Sequence, residues 1–344
     1  MNNLPIDLIQ YCIFDKLDFI TVIRFRQICK RLNRIEIHNM YFHIDYIYLN
    51  NLSDKILINY TKLRYLNASN NPKITNVNHM TKLRILNASG EHCKIDDNGI
   101  KNLNLIELYA SYNPKITNIN HMTNLQILFA SYNCGIGDNG IKNINLIELG
   151  AANNPKITNL NHMTKLQILS ASFDCGIDDN GIKNLNLSKL VVHNNKKIKN
   201  INHMTNLNIL DASFSCALDD NDIKHLNLIE LHASNNPKIT NINHMTNLKI
   251  LNAFGVCGID DNCIKNLNLI KLDASDNPKI TNVNHMTKLQ ILGASGENCG
   301  LDDNGIKNLN LFELYSSRNS KITNVSHMTN LKIFYHYMMH RMIK

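Results

Sequence analysis

The chain has 344 residues, a formal net charge of +8, 44% hydrophobic residues, only 6% aromatics and no Trp. That charge is mild for the length and does not by itself imply a nucleic-acid partner. No run of about 18 apolar residues is present to span a membrane. The opening MNNLPIDLIQ lacks a basic stretch followed by an apolar run, so no secretory leader is expected, and the nine Cys read as reduced thiols in an intracellular compartment.

Residues 1–42 do not repeat. Leu4, Leu8, Ile9, Ile13 and Leu17 fall near helical spacing, and an apolar and basic run follows from Val22 to Leu32. The pattern predicts two or three short helices. At its plainest, such a module is an N-terminal cap that shields the first turn of a repeat array. Residues 43–62 form a junction, with a degenerate repeat expected around Ile44–Tyr48.

From residue 63 the chain repeats itself. Leu63, Leu83, Leu105, Leu125, Leu146, Leu166, Leu187, Leu207, Leu228, Leu248, Leu269, Leu289, Leu311 and Leu331 open the same phrase at spacings of 20 to 22, bounding thirteen repeats over residues 63–331. Two types alternate. One reads Leu105-Ile106-Glu107-Leu108-Tyr109-Ala110, with Asn113 at its ninth place. The other reads Leu166-Gln167-Ile168-Leu169-Ser170-Ala171, with Cys175 at its tenth. Both resemble the leucine-rich repeat, with Ala in its third apolar slot.

The resemblance implies an α/β repeat fold. It is a leucine-rich-repeat solenoid with a curved parallel β-sheet and a short helical, 3₁₀ or extended convex side. Leu at the first and fourth places and Ala at the sixth should point inward, and the third and fifth places outward, because strand side chains alternate. No single repeat can bury its own apolar face, so neighbours must stack. Asp179-Asn180-Gly181-Ile182 predicts one helical or 3₁₀ turn in the second type. Ile116-Thr117-Asn118-Ile119 predicts an extended path in the first.

Several polar residues recur with the repeat. Asn71, Asn113, Asn154, Asn195, Asn236, Asn277 and Asn319 should pair backbone groups that would otherwise be buried unsatisfied. Cys93, Cys134, Cys175, Cys216, Cys257 and Cys299 take the matching place in the other type, as small buried groups. Successive ladder Cys lie two repeats, roughly 10 Å, apart, beyond the ~7 Å that a disulfide allows, and metal ligation needs tighter clusters still. His79, His121, His162, His203, His244, His285 and His327 read as structural hydrogen bonds at the convex turn, with a pH-sensitive stack as the other reading. Two Lys sets, one from Lys73 to Lys321 and one from Lys101 to Lys307, read as solvated surface. The Asp pairs such as Asp178-Asp179 offset the second of them. A basic stripe for nucleic acid is the competing reading.

No phosphate loop, nucleophile elbow or His-Glu-x-x-His is present. Each candidate Ser, His or Asp recurs many times, as scaffold residues do. A non-enzymatic protein is therefore expected, with no catalytic residue, no cofactor, no metal and no small-molecule substrate.

Variation between copies points elsewhere. The fifth place changes along the chain, including Tyr109, Phe129, Gly150, His232 and Tyr315. The eighth varies too, with Tyr112, Tyr132, Phe173, Phe214 and Arg318. The third alternates between Glu107, Glu148, Glu230 or Glu313 and an Ile such as Ile85 or Ile127. Outward Ile, Glu and aromatics suit protein recognition, and Glu107, Tyr109, Phe129, Glu148, Phe173, Phe214, Glu230, His232 and Tyr315 are the expected target-binding set. Neutral drift at tolerant places is the other reading. Residues 332–344 break the pattern and are expected to cap the C-terminal sheet edge, which otherwise invites aggregation, or to contact a partner.

The N-terminal module also resembles the F-box. Leu4-Pro5-Ile6-Asp7-Leu8, Ile13-Phe14, Leu17-Asp18 and Arg26-Gln27-Ile28-Cys29-Lys30-Arg31 follow that motif in order and spacing, and Leu32 stands where the family usually has Trp. The whole chain looks like an F-box/leucine-rich-repeat protein. Its Asn-, Ile- and Lys-rich composition is also similar to that of such proteins from AT-rich genomes, giant viruses of amoebae among them. The resemblance implies a substrate-recognition subunit of a cullin-type ubiquitin ligase. Leu4, Pro5, Leu8, Ile13, Phe14 and Leu17 would dock a Skp-type adaptor, and the repeats would present an unknown target protein. The alternative is a protein-binding repeat scaffold unconnected to ubiquitin, whose N-terminus is only a cap.

Overall fold

The computed structural model describes residues 52–336. The N-terminal module, with the expected docking residues, and residues 337–344 lie outside them. The chain divides into two compact units, residues 1–166 and 167–344. The described part of each is built as the repeat predicts, as parallel β-solenoid of the leucine-rich-repeat kind.

In the first unit, five three-residue strands pair in parallel and in chain order: β1 Tyr65–Asn67, β2 Ile85–Asn87, β3 Glu107–Tyr109, β4 Ile127–Phe129 and β5 Glu148–Gly150. Three four-residue helices lie between them, α1 Asp54–Leu57, α2 Asp97–Ile100 and α3 Asp138–Ile141. The second unit repeats the plan. Its strands are β6 Ile168–Ser170, β7 Lys189–Val191, β8 Ile209–Asp211, β9 Glu230–His232, β10 Ile250–Asn252, β11 Lys271–Asp273, β12 Ile291–Gly293, β13 Glu313–Tyr315 and β14 Ile333–Tyr335. Its helices are α4 Asp179–Ile182, α5 Asp220–Ile223, α6 Asp261–Ile264 and α7 Asp303–Ile306.

Register follows the repeat place for place. Leu108 sits opposite Leu128, and Glu107 opposite Ile127. The first-place Leu from Leu63 to Leu311, the fourth-place Leu and the sixth-place Ala are buried, as are Ile116, Ile119 and Met122 of one type and Ile177, Ile182 and Leu185 of the other. Every helix among the described residues belongs to the second type or to the matching half repeat at residues 52–57, where Asp before an apolar residue starts a turn. The first type runs without a helix through its Ile-Thr-Asn-Ile segment. Gly99, Gly140 and Gly305 let these helices press onto the preceding repeat, since a Cβ at each would stand 2.1 Å from a threonine carbonyl oxygen.

The described part of the junction, residues 52–62, opens with half a repeat, and the degenerate repeat expected around Ile44–Tyr48 lies outside the described residues. Leu52, Asp54 and Leu57 occupy the places of Ile95, Asp97 and Ile100. Asp54 accepts the backbone N–H of Thr75 at 2.9 Å, Asn71 donates to the carbonyl of Leu52 at 3.1 Å, and His79 meets the carbonyl of Leu57 at 3.0 Å. At the other end, Ile333–Tyr335 continues the sheet by pairing with β13, so residues 333–335 extend the repeat past Leu331. The expected cap falls largely on residues 337–344, outside the described part.

Candidate recognition surfaces

The recurring polar residues are absorbed by the scaffold. Asn113 donates to the carbonyls of Ala88 at 2.8 Å and Ile95 at 3.1 Å, and accepts the N–H of Lys115 at 3.0 Å. The ladder Cys are buried free thiols. Burial pushes the thiols of Cys134 and Cys216 up to about 11. Each ladder His meets the carbonyl at the end of a preceding helix, as His121 does at Ile100, 3.2 Å away. The imidazole Nε2–H fills there a helix-terminal acceptor that has no intrahelical partner.

Some of the charges expected on open surface are also structural. Lys197 Nζ donates to the carbonyl of Cys175 and Lys321 Nζ to that of Cys299, both at 2.8 Å. The first Asp of each pair caps a helix, as Asp178 does by accepting from the N–H of Gly181 at 3.0 Å. The second holds the following repeat, as Asp97 does by accepting from the N–H of Thr117 at 2.7 Å and of Asn118 at 3.1 Å. The Asp pairs are therefore repeat-to-repeat clamps before they are counter-charges to Lys. Among the described residues no His, Cys, Asp and Glu cluster could hold a metal ion.

The expected recognition residues fall into separate groups. On the sheet face of the first unit, Tyr109 and Phe129 stack with ring centroids 5.2 Å apart and planes 6° from parallel. Phe129 lies over Gly150, where a Cβ would stand 2.6 Å from Cδ1. Glu107 and Glu148 flank Ile127 in register. Tyr109 donates its hydroxyl to Glu107 at 3.1 Å. Burial together with that carboxylate pushes its phenol up to about 12. Every charged side chain at the third and fifth places of β1–β5 is acidic.

In the second unit, His232 and Glu230 pair along one strand at 2.6 Å. Tyr315 donates to Glu313 at 2.8 Å and stacks on Tyr335 at 5.2 Å. Phe173 and Phe214 are not on the sheet face. They stand at the turn that follows each strand and meet through His193, whose ring centroid is 5.1 Å from one and 4.5 Å from the other.

The turn explains the eighth place. Its thirteen residues, from Asn70 to Arg318, all have positive φ, between 51° and 100°. Asn, Asp and Gly tolerate this left-handed backbone, whereas Tyr, Phe and Arg hold it at a cost of about 1–2 kcal/mol each. Yet Tyr112, Phe173 and Phe214 remain exposed there.

The third-place Ile are half-buried rather than open. More exposed apolar side chains sit at the second place, with Ile229 45% exposed. The strands are only three residues long, so alternation stops before the second place is reached.

A family model for the F-box domain matches residues 1–42. No curated protein matches the chain. Among solved structures, an internalin from Listeria monocytogenes is 21% identical, with 96% of each chain covered and a TM-score of 0.56. The functional domain of InlJ from the same bacterium, described as including a cysteine ladder, is 24% identical over 80% of this chain and 58% of its own, with a TM-score of 0.39. A chain of the yeast Rad7–Elc1 complex is 14% identical over 91% of this chain and 92% of its own, with a TM-score of 0.44. The internalin likeness agrees with the leucine-rich-repeat fold. The F-box match at residues 1–42 is therefore followed by a leucine-rich-repeat fold. Among the described residues no helix is long and apolar enough to cross a membrane.

Proposed function

We propose that this protein is a non-enzymatic, intracellular substrate-recognition adaptor of a cullin-type ubiquitin ligase. Its F-box docks a Skp-type adaptor through Leu4, Pro5, Leu8, Ile13, Phe14 and Leu17, and its repeats receive a target protein. The observation that carries this reading is at the junction. Residues 52–57 already supply the carbonyls and carboxylate that the first repeat needs, through Leu52, Asp54 and Leu57. The polar groups of that repeat do not require residues 1–42 as a cap, which favours a separate docking role for the F-box match.

Target recognition is assigned to the departures from the repeat. Glu107, Tyr109, Phe129 and Glu148 form an acidic, aromatic group on one sheet face. Glu230 with His232 and Tyr315 with Glu313 are smaller groups elsewhere. Rigid aromatic side chains lose little entropy on binding and dominate protein interfaces.

The test is a pull-down of the full chain with a purified Skp-type adaptor, beside a Leu8→Asp/Phe14→Asp variant. Binding that the variant loses supports the ligase reading. A folded wild type that captures no adaptor rejects it and leaves a repeat scaffold.

A further inference from the structure

One repeat departs from the phrase more than its neighbours do. Where the first type reads Asn-Pro-Lys-Ile-Thr, residues 195–199 read Asn195-Lys196-Lys197-Ile198-Lys199. The same repeat carries His193 where Ser is usual. These changes converge in space. Lys196, Lys199 and Lys238 line one open groove with Phe214, and His193 bridges Phe214 to Phe173.

The three lysines differ in what holds them. Lys238 Nζ lies 3.4 Å from the carbonyl of Cys216, the contact that Lys197 and Lys321 make at Cys175 and Cys299. Lys196 and Lys199 make no ion pair among the described residues. Asp179, the carboxylate beneath this turn, is occupied by the backbone N–H groups of Lys199 and Asn200 at 2.7 and 3.0 Å. Replacing Thr by Lys199 gives up the hydroxyl bond that Thr240 makes to Asp220 two repeats on. Phe173 and Phe214 hold left-handed backbone at φ 58° and 60°, while Asn153 and Asn194 take the same place in adjacent repeats without that strain. Scaffold needs alone would favour Pro, Thr and Asn at these positions.

We infer that this turn edge is a second binding surface, which takes an acidic segment of a protein carrying an aromatic or large apolar side chain. The inference rests on the reading that the repeats recruit a protein target. Carboxylates would meet Lys196 and Lys199, and the apolar side chain would lie against Phe214 and Phe173. Single-stranded nucleic acid fits less well. Stacked bases need parallel ring faces along a continuing basic track, whereas Phe173, His193 and Phe214 are inclined by 52° and 45°.

The test measures fluorescence anisotropy of a labelled random Glu–Tyr copolymer with the full chain, against poly-glutamate and oligo-dT. Two variants place on this edge the residues that hold these places in neighbouring repeats, Lys196→Pro/Lys199→Thr and Phe173→Asn/Phe214→Asn. Neither should lower the melting temperature, because Pro and Thr hold these places in other copies of the same repeat type and Asn holds the left-handed eighth place in the adjacent repeats. The copolymer should bind about tenfold tighter than poly-glutamate, and each variant should weaken it about tenfold. Binding should also weaken as salt rises. No copolymer binding by wild type, binding unchanged in both variants, or preference for oligo-dT would each overturn the inference. A chain that captures the Skp-type adaptor but not the copolymer loses only this inference, and one that does the reverse loses only the ligase reading.

Discussion

The side-chain amide of Asn154 donates to the carbonyl of Ala130 at 2.7 Å, reaching back across a full repeat. It also donates to Ile136 at 3.0 Å and accepts from the N–H of Lys156 at 3.0 Å. Asn154 is fully buried, so water cannot replace these bonds. Asn154→Ala should therefore cost about 3 kcal/mol, from buried groups left unpaired. The denaturant midpoint of the full chain reads this. A midpoint within error of wild type would mean the amide is not what ties adjacent repeats.

Asp138 makes as many bonds as Asn154 but in the open. It accepts from the N–H of Thr158 at 2.7 Å and of Asn159 at 3.2 Å, and from the Thr158 hydroxyl. Water can satisfy the freed donors after Asp138→Ala, so the expected loss is about 1 kcal/mol. The ranking is the test. If Asp138→Ala lowered the midpoint more than Asn154→Ala, burial would not be the deciding variable.

The repeat, its two types and its buried positions were legible because burial demands a fixed phrase. The Asn and Cys ladders were legible for the same reason, and the His ladder because each ring meets a helix-terminal carbonyl in every second repeat. The roles of Lys197 and Asp97 were not, because a recurring charge reads alike whether it is solvated or reaches a neighbouring carbonyl or N–H. Only the distances separate the two. The left-handed turn was present in the sequence as Asn70, Gly90, Asn153 and Asp276 at one place, but Tyr112 and Phe173 at that place masked it. The half repeat at the junction was signalled by Leu52-Ser53-Asp54, which follows the Ile95-Asp96-Asp97 phrase with Ser as the cap residue.

Arg318 isolates the cost of that turn. It holds φ 61° and has no ring or ion-pair contact among the described residues. Arg318→Asn keeps a side chain that tolerates this backbone and should raise stability by about 0.5–1 kcal/mol. Tyr112→Asn should gain less, because it gives up a ring stack on Tyr132 at 4.2 Å, worth about 0.5–1.5 kcal/mol. Paired denaturant curves decide. Loss of stability in Arg318→Asn would mean the arginine makes a stabilising contact that outweighs its backbone strain.

The buried thiols set an alkaline limit on the fold. Cys134 and Cys216 are pushed by burial from the ordinary 9.0 to about 11. A folded-state value above the unfolded one means the folded protein holds these protons more tightly. Their contribution is complete below about pH 9, declines as the unfolded chain begins to ionise, and is lost as pH rises through about 11. The melting temperature should therefore fall more steeply between about pH 9 and about pH 11 in wild type than in a Cys134→Ala/Cys216→Ala variant. The same burial should keep both thiols from iodoacetamide at about pH 8 until denaturant is added. Peptide mass mapping reads the two sites separately from the other cysteines. Rapid labelling of Cys134 or Cys216 in the native protein would show that its thiolate is accessible, and the pH argument would fall with it.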